Sequence, residues 1–363
     1  MLLVGVLSEV FLYLCISMIM GAFLLEVLSE EQKPVVNIPK AVVIGSIIGV
    51  AVFSFHPVLR LILLLAEDYE LLVTIQSVLF SFEVGKGWLL TLFISLVFLL
   101  YYVLVDVKKE YAYTVVGVIF SVLLIVAQGF ASHASTLSTF GFAIHTLHFL
   151  AVSVWVGTLL VVSWFGKGKD NWLVFLQWFS PLALICLVIV LVSGFSLMKL
   201  VVLPSEYSDS WALSYGQSLL IKHLLIIPLL AYACINSILV RKKLKLNEGF
   251  NPSPWSRVES VVLLLVFSAT AVLGQQSPPH SINESLVTEG PSRLFMLFYS
   301  GELSQYNGTL QFGFYGVFLL LVGILFLSLI IISFIKKISP WVTVIFSVLC
   351  VFTCYLSFMV SVQ

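Results

Sequence analysis

The chain has 363 residues, of which 60% are hydrophobic and only 10% charged, with a mean hydropathy of +1.12 and a formal net charge of zero. A soluble domain carries about 25% charged residues, so this chain cannot clothe a water-facing surface. The balanced charge leaves no basic footprint for nucleic acid, and what remains is an integral membrane protein.

In chain order, the apolar runs predict ten spans at roughly 3–28, 39–66, 88–106, 111–131, 141–165, 173–202, 214–240, 258–275, 312–334 and 341–361. The opening stretch MLLVGVLSEV has no basic residue ahead of its apolar run and no small-residue cleavage site. It is expected to be the first span and not a removable signal peptide. Between the second and third spans, 69–83 repeats apolar residues at helical spacing with Glu70, Thr74, Gln76 and Ser77 between them. That pattern fits a short helix lying in the outer interface, or equally a broken span or buried loop.

Lys33 and Lys40, Lys108 and Lys109, Lys167 and Lys169, Arg241 to Lys245, and Lys336 with Lys337 fall in alternate loops. The other loops carry Glu67, Asp68, Glu70, Glu83, Glu206, Asp209, Glu284, Glu289 and Glu302. By the positive-inside rule the basic loops are cytoplasmic. The expected architecture is therefore an all-α polytopic membrane bundle of about ten transmembrane helices, with both termini extracytoplasmic.

On that topology all six histidines lie in the outer half or outside. His56 is past the middle of the second span, which runs outward. His133 is in an outer loop, and His145 and His148 occupy the first turns of the fifth span. His223 is about two turns into the seventh, and His280 is in the long outer loop. Glu9, in the outer part of the first span, joins them. A carboxylate at membrane depth costs several kcal/mol unless it has a partner or a cavity. Imidazole suits copper, zinc and iron, so a cluster drawn from several helices is a candidate metal site at the outer entrance. The competing reading, a hydrogen-bonded core histidine, is favoured for His56 and His223. The five cysteines all fall in spans and read as packing. There is no nucleotide-binding loop, no HExxH and no recognisable nucleophilic triad, so nothing points to an enzyme.

Ser132-His133-Ala134, followed by His148-Phe-Leu-Ala-Val-Ser-Val-Trp155-Val-Gly157, resembles a pattern of the copper-resistance protein D (CopD) family of bacterial membrane proteins. Ser193-Gly194, Tyr215-Gly216-Gln-Ser-Leu-Leu-Ile-Lys222, Asn236 and Arg257-Val-Glu259 continue the resemblance, which spans roughly residues 130–280. It implies copper handling in the inner (plasma) membrane, with His133 and His148 as the leading ligands. His145 stands where the family pattern is expected to have an acidic residue. The family's fused copper-binding domain is missing from this chain, which implies a separate extracytoplasmic copper-binding donor protein beside the lipid bilayer.

These readings converge on residues 1–275 as an eight-span membrane core and 276–363 as an outer loop plus a two-helix hairpin. The expected function is to take copper from the extracytoplasmic side and import or deliver it. The expected metal set is His133, His145 and His148, with Glu9, His56 and His280 as further members. Two alternatives stay open: a b-type haem held between transmembrane histidines, and a non-transporting factor in copper supply. Arg257 and Glu259 are expected at the inner mouth, either paired or simply interfacial.

Overall fold

The computed structural model describes residues 2–246, 249–279, 281–299, 301 and 306–363, without the side chains of His133 and Leu137. Its helices are α1 (Leu2–Val27), α2 (Lys40–Phe53), α3 (His56–Leu65), α4 (Leu71–Phe80), α5 (Glu83–Leu104), α6 (Tyr111–Phe130), α7 (His133–Leu137) and α8 (Thr139–Phe165). They continue with α9 (Trp172–Lys199), α10 (Ser214–Cys234), a π-helical segment Ile235–Val240, α11 (Arg241–Leu246), α12 (Ser253–Gly274), α13 (Ile282–Thr288), α14 (Arg293–Phe298), α15 (Phe314–Ile335) and α16 (Pro340–Ser361). Among the described residues, ten helices are long and apolar enough to cross a membrane, counting α2–α3 and α10–α11 as one each. Each falls on an expected span, so the protein is a polytopic helical bundle. Apolar side chains such as Phe314 (80% exposed) and Phe93 (65% exposed) remain on its outside, which suits lipid and not water.

Three local features refine the expected spans. The second span breaks at Ser54–Phe55. Pro57 has no N–H to give, and its ring crowds the carbonyl four residues back. Phe55 N–H turns to the Val52 carbonyl at 3.2 Å, and the Ala51 carbonyl that it leaves accepts a hydrogen bond from Trp88 Nε1 on α5 at 3.0 Å. Residues 71–80 do form a short helix, which packs on α3 and α5 around Val58, Ile62 and Val78. Finally, α12 starts at Ser253, five residues before the expected boundary, and so draws Glu259 into a buried turn.

The chain divides into two compact units. The first comprises Met1–Leu200 and Glu248–Ser253, and its central contact joins α1 to α8. A Cβ added to Gly21 would lie 2.1 Å from the Gly157 carbonyl oxygen, and one on Gly157 would lie 2.1 Å from that of Ser17. The two backbones therefore touch, as small residues allow in membranes. The Tyr13 ring meets Phe149 edge-on at 5.6 Å. These pairings advance together along both helices, so α1 and α8 run parallel.

Their far ends are joined. β1 (Val35–Val36) and β2 (Gly166–Lys167) form a short antiparallel ladder, and Asn171 Nδ2 donates to the Glu30 carbonyl at 2.9 Å. Lys33 Nζ caps the Leu25 carbonyl at 2.8 Å and lies 3.0 Å from Glu30, while Lys108 pairs with Glu26 at 2.9 Å. Three of the basic loops thus meet at one end of this unit. Cations there also suit the negative end of the α1 dipole.

The second unit comprises Val201–Asn247 and Pro254–Gln363. Here α16 packs on α10 and against α15, around Trp211, Leu220, Leu224, Cys350, Tyr355 and Met359. A Cβ on Gly323 would come within 2.6 Å of Cys354 Sγ, so this glycine sets the closeness of the hairpin. At one end the chain terminus is pinned to the preceding loop by Gln311 N to the Ser361 carbonyl (2.7 Å) and Gln363 N to the Thr309 carbonyl (2.8 Å).

The Gly157–Ser17 contact makes a direct prediction. Gly157→Ala is expected to destabilise the detergent-solubilised protein by about 1–3 kcal/mol through overpacking. Gly45→Ala, with nothing within 4 Å of its new methyl group, is expected to leave the melting temperature unchanged or slightly raised. Equal melting temperatures for wild type and Gly157→Ala would rule out backbone contact.

Candidate metal site

The parallel crossing sets the height of the polar residues. Glu9 lies twelve residues before Gly21 on α1, and His145 lies twelve before Gly157 on α8. At 1.5 Å per residue both stand about 18 Å from the crossing, at the end opposite the basic loops. Tyr13 donates its phenol hydrogen to Glu9 Oε2 at 3.1 Å, one turn along α1. Its ring contact with Phe149 leads on to His145, whose ring lies 6.5 Å from that of Phe149. Glu9 and His145 therefore flank the same aromatic bridge.

His148 is turned by about 60° around α8 from His145, as three residues at 3.6 per turn require. It meets α9 instead. His148 Nδ1 lies 2.9 Å from Ser193 Oγ, and its Cε1 passes over Gly194, where an added Cβ would be 3.4 Å away. Ser193 has a single hydroxyl hydrogen, which it donates to the Ile189 carbonyl at 2.5 Å. With the hydroxyl hydrogen on Ile189, the contact is assigned to the Nδ1–H tautomer of His148. That tautomer puts the ring's lone pair on Nε2, the form in which imidazole binds a metal.

Ser138 opens α8 by accepting from Gly141 N at 2.9 Å, and a Cβ on Gly141 would sit 2.1 Å from the Ala134 carbonyl oxygen. This tight turn folds α7, which begins at His133, back onto the start of α8. The His133 backbone thus belongs to the same end of the unit as His145, while its side chain is outside the description. His56 begins α3 and is buried, bordering a shallow cleft with Val4, Leu59 and Arg60. His280 lies outside the described residues. His223, in the other unit, is hydrogen-bonded through Nδ1 to the Tyr207 phenol at 2.7 Å, the structural role favoured for it from the sequence. Among the described residues, no three His, Cys, Asp or Glu side chains are gathered closely enough to hold a metal ion.

Within the second unit, Glu259 is 3% exposed and accepts from Asn236 Nδ2 at 2.6 Å. The sequence left Arg257 and Glu259 either paired or interfacial, and Glu259 is buried against Asn236. Two residues apart on a helix, Arg257 and Glu259 point to nearly opposite sides. Sequence reading also gave Ser193 no role beyond a motif position. Its link to His148 spans 45 residues and needs α8 and α9 to be packed.

The fold and these polar stations define a multi-pass helical membrane protein with imidazoles and a carboxylate at one end of its first unit. Residues 173–273 are similar to the family model Copper resistance protein D. The matched segment runs from α9 through α12. It lies after His133, His145 and His148, but includes the Ser193 that orients His148. No curated protein and no solved structure matches the chain.

The tautomer is testable without any metal. Nitrogen NMR of selectively labelled protein is expected to show His148 protonated at Nδ1, and Ser193→Ala is expected to yield a mixture of both tautomers. An Nε2-protonated wild-type ring would refute the assignment.

Proposed function

We infer that the chain is a copper-resistance or copper-transport membrane protein, a reading supported by the match of residues 173–273 to the Copper resistance protein D model. We propose, more specifically, that this chain takes copper from the extracytoplasmic side and imports or delivers it. His133, His145 and His148 with Glu9 receive the ion, and His56 and His280 stand at the approaches. The observation that carries the reading is the Ser193–His148 hydrogen bond, because a partner on one ring nitrogen fixes the imidazole's orientation, as it does in metal-binding histidines. A second support is the common height of Glu9 and His145 on parallel helices. A carboxylate beside imidazoles would offset part of the charge of an incoming cation.

Both termini are extracytoplasmic in this reading, and copper arrives on a separate extracytoplasmic donor protein. Residues 1–275 handle the ion, while 276–363 form an accessory outer loop and hairpin. An ion must enter favourably and still leave, so stations of one or two ligands suit passage better than a closed cage.

The test is copper content and uptake by purified protein in proteoliposomes. The His133/His145/His148 triple alanine variant is expected to lose most bound copper. Ser193→Ala is expected to weaken binding by about 10- to 100-fold, as loss of an outer-shell partner does. Full copper binding by the triple variant would sink the proposal. Binding without uptake would favour a copper-supply factor, and a Soret band would favour haem.

A further inference from the structure

Glu259 is the seventh residue of α12, about 9 Å along the helix from its start, and it is buried inside the second unit. It is held by a neutral group, Asn236, whose Nδ2 donates to Glu259 Oε2 at 2.6 Å and also lies 3.3 Å from the Trp255 carbonyl. None of the ion pairs among the described residues involves Glu259.

Asn236 sits in the π-helical segment that interrupts the seventh span, seven to twelve residues after Pro228. Such single-turn widenings gather at functional sites. One turn earlier, the fully buried Tyr232 donates to Thr343 Oγ1 at 2.7 Å and lies 2.9 Å from Ser347 Oγ, both on α16. Three spans thus bring polar groups together. All three enter or leave the membrane through loops that carry Arg241, Lys242, Lys243, Lys336 and Lys337, so the cluster lies at the basic-loop end.

A carboxylate at membrane depth needs a counter-charge or a proton. Here Asn236 directs N–H, and not its carbonyl oxygen, at the carboxyl group. An amide hydrogen repels a metal cation but bonds a carboxyl group whether it is ionised or protonated. The facing groups from α10 and α16, namely Tyr232, Asn236, Thr343 and Ser347, carry no formal charge, and Arg257 points to the other side of α12.

We propose that Glu259, held by Asn236, is a proton-binding site on the basic-loop side of the second unit, gaining and losing a proton from that side. The assignment does not depend on copper.

Infrared difference spectra of the full-length protein in lipid membranes, between acid and alkaline buffer, test it. Wild type is expected to show a carboxylic-acid C=O band that Glu259→Gln abolishes. Asn236→Leu and Glu259→Asp are expected to keep the band at a shifted frequency, and these two variants decide the matter should Glu259→Gln fail to fold. A band unchanged in all three variants overturns the proposal. So does a band that responds to sodium at constant pH and not to pH itself.

Discussion

The contact of two helix backbones at Gly21 and Gly157 governs the first unit. With no side chain between them, α1 and α8 approach until a carbonyl oxygen of one fills the space where a Cβ of the other would stand. In a bilayer, where lipid is as apolar as leucine, this closeness is what brings dispersion contact between helices. It also fixes register. Once Ser17 and Gly21 lie against Gly157, Tyr13 must meet Phe149, and Glu9 must stand level with His145. The β1–β2 ladder closes the same pair at its far end, so the axial slide of one helix past the other is blocked twice.

Polarity is distributed unequally along the membrane normal. The first unit puts imidazoles and one carboxylate at the end away from its basic loops, with one ring oriented by a serine on a neighbouring helix. The second unit puts a carboxyl, an amide and three hydroxyls at the basic-loop end. The two sets differ in chemistry. Imidazole nitrogen suits copper, whereas the second set holds oxygen and amide groups of the kind that exchange protons. Within their own units, Glu9, His148, Tyr232 and Glu259 are held by hydrogen bonds to neighbouring polar groups.

Prolines and the π segment show how irregular backbone is tolerated at membrane depth. The second span breaks just before Pro57, and the Ala51 carbonyl left by Phe55 N–H is taken up by the Trp88 indole. In the seventh span Pro228 is buried among its neighbours, and the widened turn that follows presents Asn236 to Glu259. In both cases a neighbouring helix supplies the partner that water would supply in a soluble protein.

The sequence by itself determined the membrane class, the number and approximate positions of the ten spans, and the alternation of basic loops. Those features depend on composition and on runs of about 20 residues, which the bilayer's thickness demands of any spanning helix. It also marked His133, His145, His148 and Glu9 as unusual, because polar groups in an apolar run stand out one residue at a time. Only tertiary structure decided how these groups are partnered. Two residues three apart on one helix turned toward different neighbours, Glu259 proved to be held by an amide 23 residues away, and Ser193 acquired a role through a ring 45 residues before it. Hydrophobicity is written locally along the chain, but a hydrogen bond between helices depends on crossing, register and rotation, which no single segment encodes.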